Sequence, residues 1–173
     1  MARRFLYLFV QDFAFDWRRK GDSTLASGGL PMVLTRRVAG SEIVMAADHA
    51  AAQQGIAVGR SLADARAMQP GLKALEADPA ADRRRLEQLA TWCQRYTPMV
   101  AVEPPYALIR DITGAAHLHG DEERLAQDAE DRLDAAGYSA CWALAGTADA
   151  ALALVSGTGG VLSSNSTAIL GLE

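Results

Sequence analysis

Six consecutive apolar residues, Phe5-Leu6-Tyr7-Leu8-Phe9-Val10, stand between Arg4 and Gln11 with no polar residue among them. A run this short that is rich in aromatics, with no polar alternate, has no side to turn to water. It predicts a strand buried on both faces, with neighbours along its edges and layers above and below. The rest of the chain has to supply those neighbours, and the pattern from residue 78 onward does so.

Asp78 caps a helix with Pro79 in its first turn, running to about Tyr96, with Leu86, Leu89, Ala90 and Cys93 at helical spacing. Met99–Val102 and Tyr106–Thr113 read as strands around Pro104-Pro105, and Asp121 starts an acidic helix that stops near Ala136-Gly137. Its seven carboxylates against two arginines between Asp121 and Asp134 place it toward solvent. Ser139–Ala145 is an apolar strand, and Thr147 caps a last helix to about Val155. With the strand at 5–10, the order is β–insert–α–β–β–α–β, then a helix. That is a mixed α+β fold, a ferredoxin-like split β-α-β with an insert after its first strand.

The insert reads as a short helix over Ala14–Lys20, a loop over Gly21–Gly29, and strands at Pro31–Thr35 and Glu42–Met45 joined through 36–40. Two small helices follow, Asp48–Gln54 and Ser61–Met68, the second stopped by Pro70-Gly71. The expected division is 1–12 with 76–157 as one domain and 13–75 as the insert. Residues 158–173 have no pattern and read as a flexible tail or the start of a further domain.

Half of the 173 residues are hydrophobic and 22% are charged, enough to bury a core and too apolar for global disorder. Cys93 and Cys141 are the only cysteines, which excludes a disulfide framework and a cysteine zinc site. No charge-free run reaches spanning length, and the basic start lacks a signal peptide's apolar core, so the chain is expected in the cytoplasm, away from membranes. Residues 1–75 carry ten basic against six acidic groups; residues 76–173 carry seven against fifteen. The front part is therefore the part suited to phosphates, and Arg36, Arg37 and Arg60 are its candidate DNA-binding residues. Arg83-Arg84-Arg85 sits near a helix start, where cations oppose the macrodipole. His117 and His119 alternate as on one strand face but lack a third ligand at spacing, so they read as solvated. The Gly157–Gly160 cluster has no following lysine and is not a phosphate loop, and the serines at 163–166 read as tail.

Several stretches in order resemble one family. Arg95-Tyr96-Thr97, Asp111-Ile112-Thr113 and His119-Gly120 are similar to the palm of Y-family DNA polymerases, and Asp48–Ile56, Gly59-Arg60-Ser61 and Pro70-Gly71-Leu72 to their fingers. Ser61-Leu62-Ala63-Asp64-Ala65-Arg66, Glu76–Asp82, Trp92–Pro98 and Asp111–Leu118 resemble the ImuB-like, non-catalytic branch, a relative of the UmuC-like polymerases. The resemblance spans residues 4 to about 155 and implies a pseudo-polymerase that serves translesion synthesis and SOS mutagenesis as an adaptor rather than an enzyme, with no cofactor. It implies DNA, a sliding clamp, an error-prone replicative-type polymerase and a RecA-like accessory protein as partners. Thumb and little-finger domains, expected beyond residue 173, would carry most of those contacts.

Nucleotidyl transfer requires two divalent ions held by carboxylates on adjoining strands. The resemblance puts Val10 and Asp12 at the first pair of acidic positions, with a two-residue slip placing Asp12 first instead. It puts Tyr106 and Ala107 at the second pair. Glu103 lies three residues off, and since an odd offset reverses a strand's face it is not expected to substitute. The positions that hold triphosphate in active members fall on His49, Ala52 and Ala148, and the steric-gate position on Phe15, which equally suits core packing. Two other readings remain: a divergent active polymerase using Asp12, Asp16 or Glu103, and a ferredoxin-like interaction domain unrelated to replication.

Overall fold

The computed structural model describes residues 3–26, 29–157 and 167–169. Along the chain these form β1 (Phe5–Val10), α1 (Phe13–Gly21), α2 (Ser23–Ala26), β2 (Met32–Val38), β3 (Ser41–Ala47), α3 (His49–Gln53), α4 (Leu62–Met68), β4 (Lys73–Glu76) and α5 (Pro79–Cys93). Then come β5 (Val100–Glu103), β6 (Ala107–Asp111), α6 (Glu122–Ala135), β7 (Ala140–Ala145), α7 (Ala148–Gly157) and β8 (Thr167–Ile169). Two compact units result, one of residues 14–82 and one of the residues on either side of them.

The larger unit is built on a five-stranded sheet in the order β5-β6-β1-β7-β8. β1 runs antiparallel to both β6 and β7, and β5 antiparallel to β6. The first four positions are the ferredoxin-like order, with the apolar run at 5–10 in the centre as its composition requires. Register sorts the side chains into two faces. Leu6 stands opposite Arg110 and Leu144, and Leu8 opposite Leu108 and Trp142. On the other face Tyr7, Ala107, Cys141, Ala143 and Ala145 form one apolar cluster with Ala151 and Val155 of α7. All six residues of β7 are buried, because layers cover both sides of it. Asp78, Asp121 and Thr147 cap α5, α6 and α7, accepting from the amides of Ala81 (2.9 Å), Arg124 (2.7 Å) and Ala150 (3.1 Å). Gly137, at φ 76°, ends α6 where a Cβ would be strained.

The smaller unit holds the sheet β3-β2-β4. Its core joins Val33 and Val44 to Ala51, Ile56, Leu62, Ala65 and Leu72. Asp48 caps α3 through the Ala51 amide (2.8 Å) and also accepts from Arg19, while Ser61 caps α4 through the Asp64 amide (3.1 Å).

Several expectations are corrected, and one strand that had no sequence signal is added. Arg36, Arg37 and Val38 belong to β2, and the hairpin turns at Ala39-Gly40, where both φ angles are positive (48° and 85°), the geometry that matches strand twist. The loop at 21–29 contains α2, whose single turn is too short to show a period. The segment Lys73–Glu76 is a strand, paired parallel to β2; four residues without alternation carry no strand signal. His117 and His119 do not share a strand face, since Ala116–Leu118 is a 3₁₀ turn and the His119 ring lies 5.3 Å from that of Tyr96. Within the stretch read as patternless, Thr167–Ile169 pairs parallel to β7. The other residues of the 157–160 glycine cluster after Gly157, and Ser163–Ser166, lie outside the described residues.

Candidate functional site

The end of β1 and the start of β6 adjoin, because β1 and β6 are neighbours and the hairpin before β6 brings Tyr106 level with Val10. The Val10 amide donates to the Tyr106 carbonyl at 3.0 Å. The Val10 side chain is fully buried on the face of Leu6 and Leu8, and Ala107, also fully buried, lies on the opposite face. The Tyr106 ring lies 5.7 Å from that of Phe13, which in turn stacks on Tyr138 at 5.6 Å. Asp12 sits half-buried in the turn between β1 and α1. This crossing therefore presents an isopropyl group, a methyl group and an aromatic cluster.

Glu103 stands beside this crossing. The chain reverses between Glu103 and Ala107, so the two are cross-strand partners in the β5–β6 register and share a face. The odd offset of three separates Glu103 from Tyr106, whereas Ala107 lies four residues on. The Tyr7 phenol is raised by burial and by the nearby Glu103 carboxylate, which places that charge on the Tyr7 face. Among the described residues no three His, Cys, Asp or Glu side chains gather as a set able to hold one ion.

The remaining predicted positions fall in both units. In the smaller one, His49 opens α3 exposed, its ring nitrogen 2.8 Å from the Gln53 amide, and Ala52 is exposed on the same helix. Phe15 is 4% exposed on α1 and packs as a core residue. Asp16 is buried and lies 3.5 Å from Arg19. Arg36, Arg37 and Arg60 are all exposed. Arg36 and Arg37 border an open depression of about 450 Å³ together with Thr35, Glu42, Arg66 and Glu76. Arg66 was not among the residues singled out, since only the parallel pairing of β4 with β2 closes that hollow. In the larger unit, Ala148 is the first residue of α7.

A family model, the impB/mucB/samB family, matches residues 8–155. The chain belongs to the impB/mucB/samB family. Protein ImuB of Caulobacter vibrioides, in strain NA1000 / CB15N and in strain ATCC 19089 / CIP 103742 / CB 15, is 45% identical over 100 residues, which is 58% of this chain and 22% of that protein. The chain thus spans under a quarter of the length of these curated relatives. Among solved structures, DinB from Sulfolobus solfataricus superposes with TM-score 0.77 at 13% identity, covering 96% of this chain and 48% of that one. The insertion ternary complex of Dbh DNA polymerase superposes with TM-score 0.78 at 13% identity, covering 97% and 48%. These likenesses show that the impB/mucB/samB chain has the palm-and-fingers fold of Y-family polymerases.

Three clusters in this impB/mucB/samB chain had no sequence signal. Arg110 is fully buried in the larger unit, and among the described residues none of its three guanidinium nitrogens has a hydrogen-bond partner. Above it the Tyr96 hydroxyl donates to Asp128 at 2.6 Å, and Asp128 accepts from Arg132 at 2.8 Å. Burial first, then that carboxylate, raises the Tyr96 phenol far above its ordinary value. Glu130 is buried at the sheet and accepts from the Trp142 indole at 2.8 Å, so the acidic helix α6 does not turn every carboxylate to solvent. In the smaller unit, buried Asp82 accepts from both Trp17 (2.8 Å) and Arg18 (2.6 Å). No helix among the described residues is long and apolar enough to cross a membrane.

Proposed function

We propose that this chain is the palm-and-fingers portion of a non-catalytic, ImuB-like member of its family that serves translesion DNA synthesis as an adaptor. The observation that carries the reading is the crossing of β1 and β6, where Val10, Tyr106 and Ala107 stand at positions that the family resemblance assigns to metal-binding carboxylates. Mg²⁺ keeps its waters unless several carboxylate oxygens replace them, and neither a methyl nor a phenol at neutral pH can do so. Ala52 and Ala148 likewise offer no cation with which to hold a triphosphate, and His49 is engaged with Gln53. DNA is then a weakly held partner of this portion. The clamp, an error-prone polymerase and a RecA-like protein are partners of the whole molecule, of which this chain matches under a quarter.

A second reading, a divergent active polymerase, draws on Glu103 opposite Ala107. Its support is thin, since Asp16 is engaged by Arg19 and one carboxylate with Asp12 falls short of a two-ion site. Primer extension with Mg²⁺ or Mn²⁺ separates the two. The adaptor reading expects none above a blank, and none after Tyr106→Asp with Ala107→Glu, because the phosphate-holding groups are absent as well. Extension by the unaltered chain that disappears in Glu103→Gln establishes the second reading and ends the first.

A further inference from the structure

The larger unit carries two charged helix faces of opposite sign with the same spacing. On α5 and the turn after it, Arg84, Gln88, Trp92 and Arg95 recur at i, i+4, i+8 and i+11, opposite the buried Leu86, Leu89 and Cys93. The Arg95 guanidinium lies 4.2 Å over the Trp92 ring, and Arg85 on the same side donates to Gln88. On α6, Glu123, Gln127, Asp131 and Asp134 recur at the same four steps, all exposed, opposite the buried Leu125, Ala129 and Leu133. The arginines on α6 are already engaged, Arg124 with Asp121 and Arg132 with Asp128. Among the described residues, the α5 stripe thus sets basic groups beside the acidic stripe of α6.

Both helices lie on one side of the sheet. Arg110 meets Tyr96 at the end of α5, Trp142 meets Glu130 of α6, and register puts Arg110 and Trp142 on the shared face of Leu6 and Leu8. Their stripes therefore point outward together, and the Tyr96–Asp128 bond at 2.6 Å holds them side by side. They also run in opposite directions. α5 leads back into β5, which is parallel to β1, whereas α6 joins β6 to β7, which are antiparallel to β1.

We propose that this α5–α6 face is a self-association surface, with two copies paired about a two-fold axis parallel to the helices, α5 of each on α6 of the other. That axis turns the two faces toward each other and preserves helix direction, so each α5 meets an antiparallel α6. The basic stripe of Arg84, Trp92 and Arg95 in each copy then lies along the acidic stripe of Glu123, Asp131 and Asp134 in the other. A closed pair uses both stripes twice, as an isologous interface requires. A DNA duplex suits the face less well, because it is wider than one helix and would lie across the α6 carboxylates within a Debye length of about 8–10 Å. Two helix faces about 20 Å long fall below the roughly 800 Å² per partner of a stable interface, so the pair is weak and salt-sensitive. The pairing holds whether or not the chain extends a primer.

Sedimentation equilibrium of the whole chain at roughly 10–300 micromolar, the range for a small interface, tests it at low and high salt. The expected result is a monomer–dimer equilibrium at low salt that shifts toward monomer as salt rises. Arg84→Glu with Arg95→Glu gives monomer, as does Glu123→Arg with Asp134→Arg, and an equal mixture of the two variants restores the dimer. That rescue also shows both variants are folded. A monomer at every concentration, variants that pair like the wild type, or a mixture that stays monomeric overturns the proposal. So does a chain that stays monomeric and whose single-stranded oligonucleotide binding is abolished by the arginine reversals, which would make the stripe a nucleic-acid site.

Discussion

Arg110 lies beneath Tyr96, its guanidinium carbon 5.4 Å from the centre of the ring. Tyr96 in turn gives its hydroxyl to Asp128, a carboxylate that also accepts from Arg132. The guanidinium is left with a π-face and a thiol as company. Burial lowers the arginine's pKa, and only Cys93 and Tyr96 oppose that. A cation over a ring gains about 0.5–2 kcal/mol, less than the cost of several buried unpaired donors.

Arg110→Met should therefore stabilise the fold. The variant keeps the side-chain length against Tyr96 and removes the desolvated charge. The expectation is a gain of about 1–3 kcal/mol in urea unfolding. A loss of stability would show that the guanidinium is satisfied in solution, by water for instance.

The opposite sign is expected at Asp82. Both Trp17 and Arg18 depend on this carboxylate, and Arg18 is 8% exposed. Asp82→Ala leaves a buried cation and an indole N–H without acceptors, at a cost of about 3–5 kcal/mol. Asp82→Asn retains one acceptor and costs less. Denaturant titration followed by tryptophan fluorescence reads both; equal stability of Asp82→Ala and wild type would refute the coupling.

Glu130 makes stability depend on pH. Burial raises its carboxyl, the Trp142 bond lowers it, and Asp131 and Asp134 raise it further, with a net rise. The folded protein thus binds this proton more tightly than the unfolded chain. The contribution is fully present below the unfolded value near 4.3 and is lost as pH climbs through the higher folded value. Glu130→Gln keeps an acceptor for the indole and removes the titration. Thermal unfolding should show a higher melting temperature than wild type at neutral pH and a flatter profile above the unfolded value near 4.3. A variant that tracks the wild-type profile would assign the pH dependence elsewhere.

DNA binding by this chain should be feeble and electrostatic. Arg36, Arg37 and Arg66 border the same hollow in the smaller unit, while the α6 carboxylates repel phosphate. Fluorescence anisotropy should give a dissociation constant of roughly 10⁻⁴–10⁻⁶ M, weakening steeply with salt. Arg36→Ala with Arg37→Ala should weaken it further and lower the salt slope by up to about 2. Tight, salt-insensitive or strongly sequence-dependent binding would contradict this.

Local chemistry alone determined much of this protein. The apolar run Phe5–Val10 could only be a central strand, and Asp48, Ser61, Asp78, Asp121 and Thr147 each announce a helix start because a capping oxygen acts within three residues. The order of elements, and with it the ferredoxin-like sheet, follows from those signals. That Val10, Tyr106 and Ala107 carry no carboxylate was legible as well, since a residue's identity needs no coordinates. What the tertiary structure decided are relationships between segments distant in sequence. Glu103 came to share a face with Ala107 because a hairpin sets register across strands. The parallel strand β4 formed only because β2 offered it an edge. Arg110 shares a face of β6 with Leu108, two residues before it, and a charge at that place reads as exposed in the sequence. Its burial was fixed by α5 and α6 covering that face, since periodicity gives the side of a strand but not which side another layer will close.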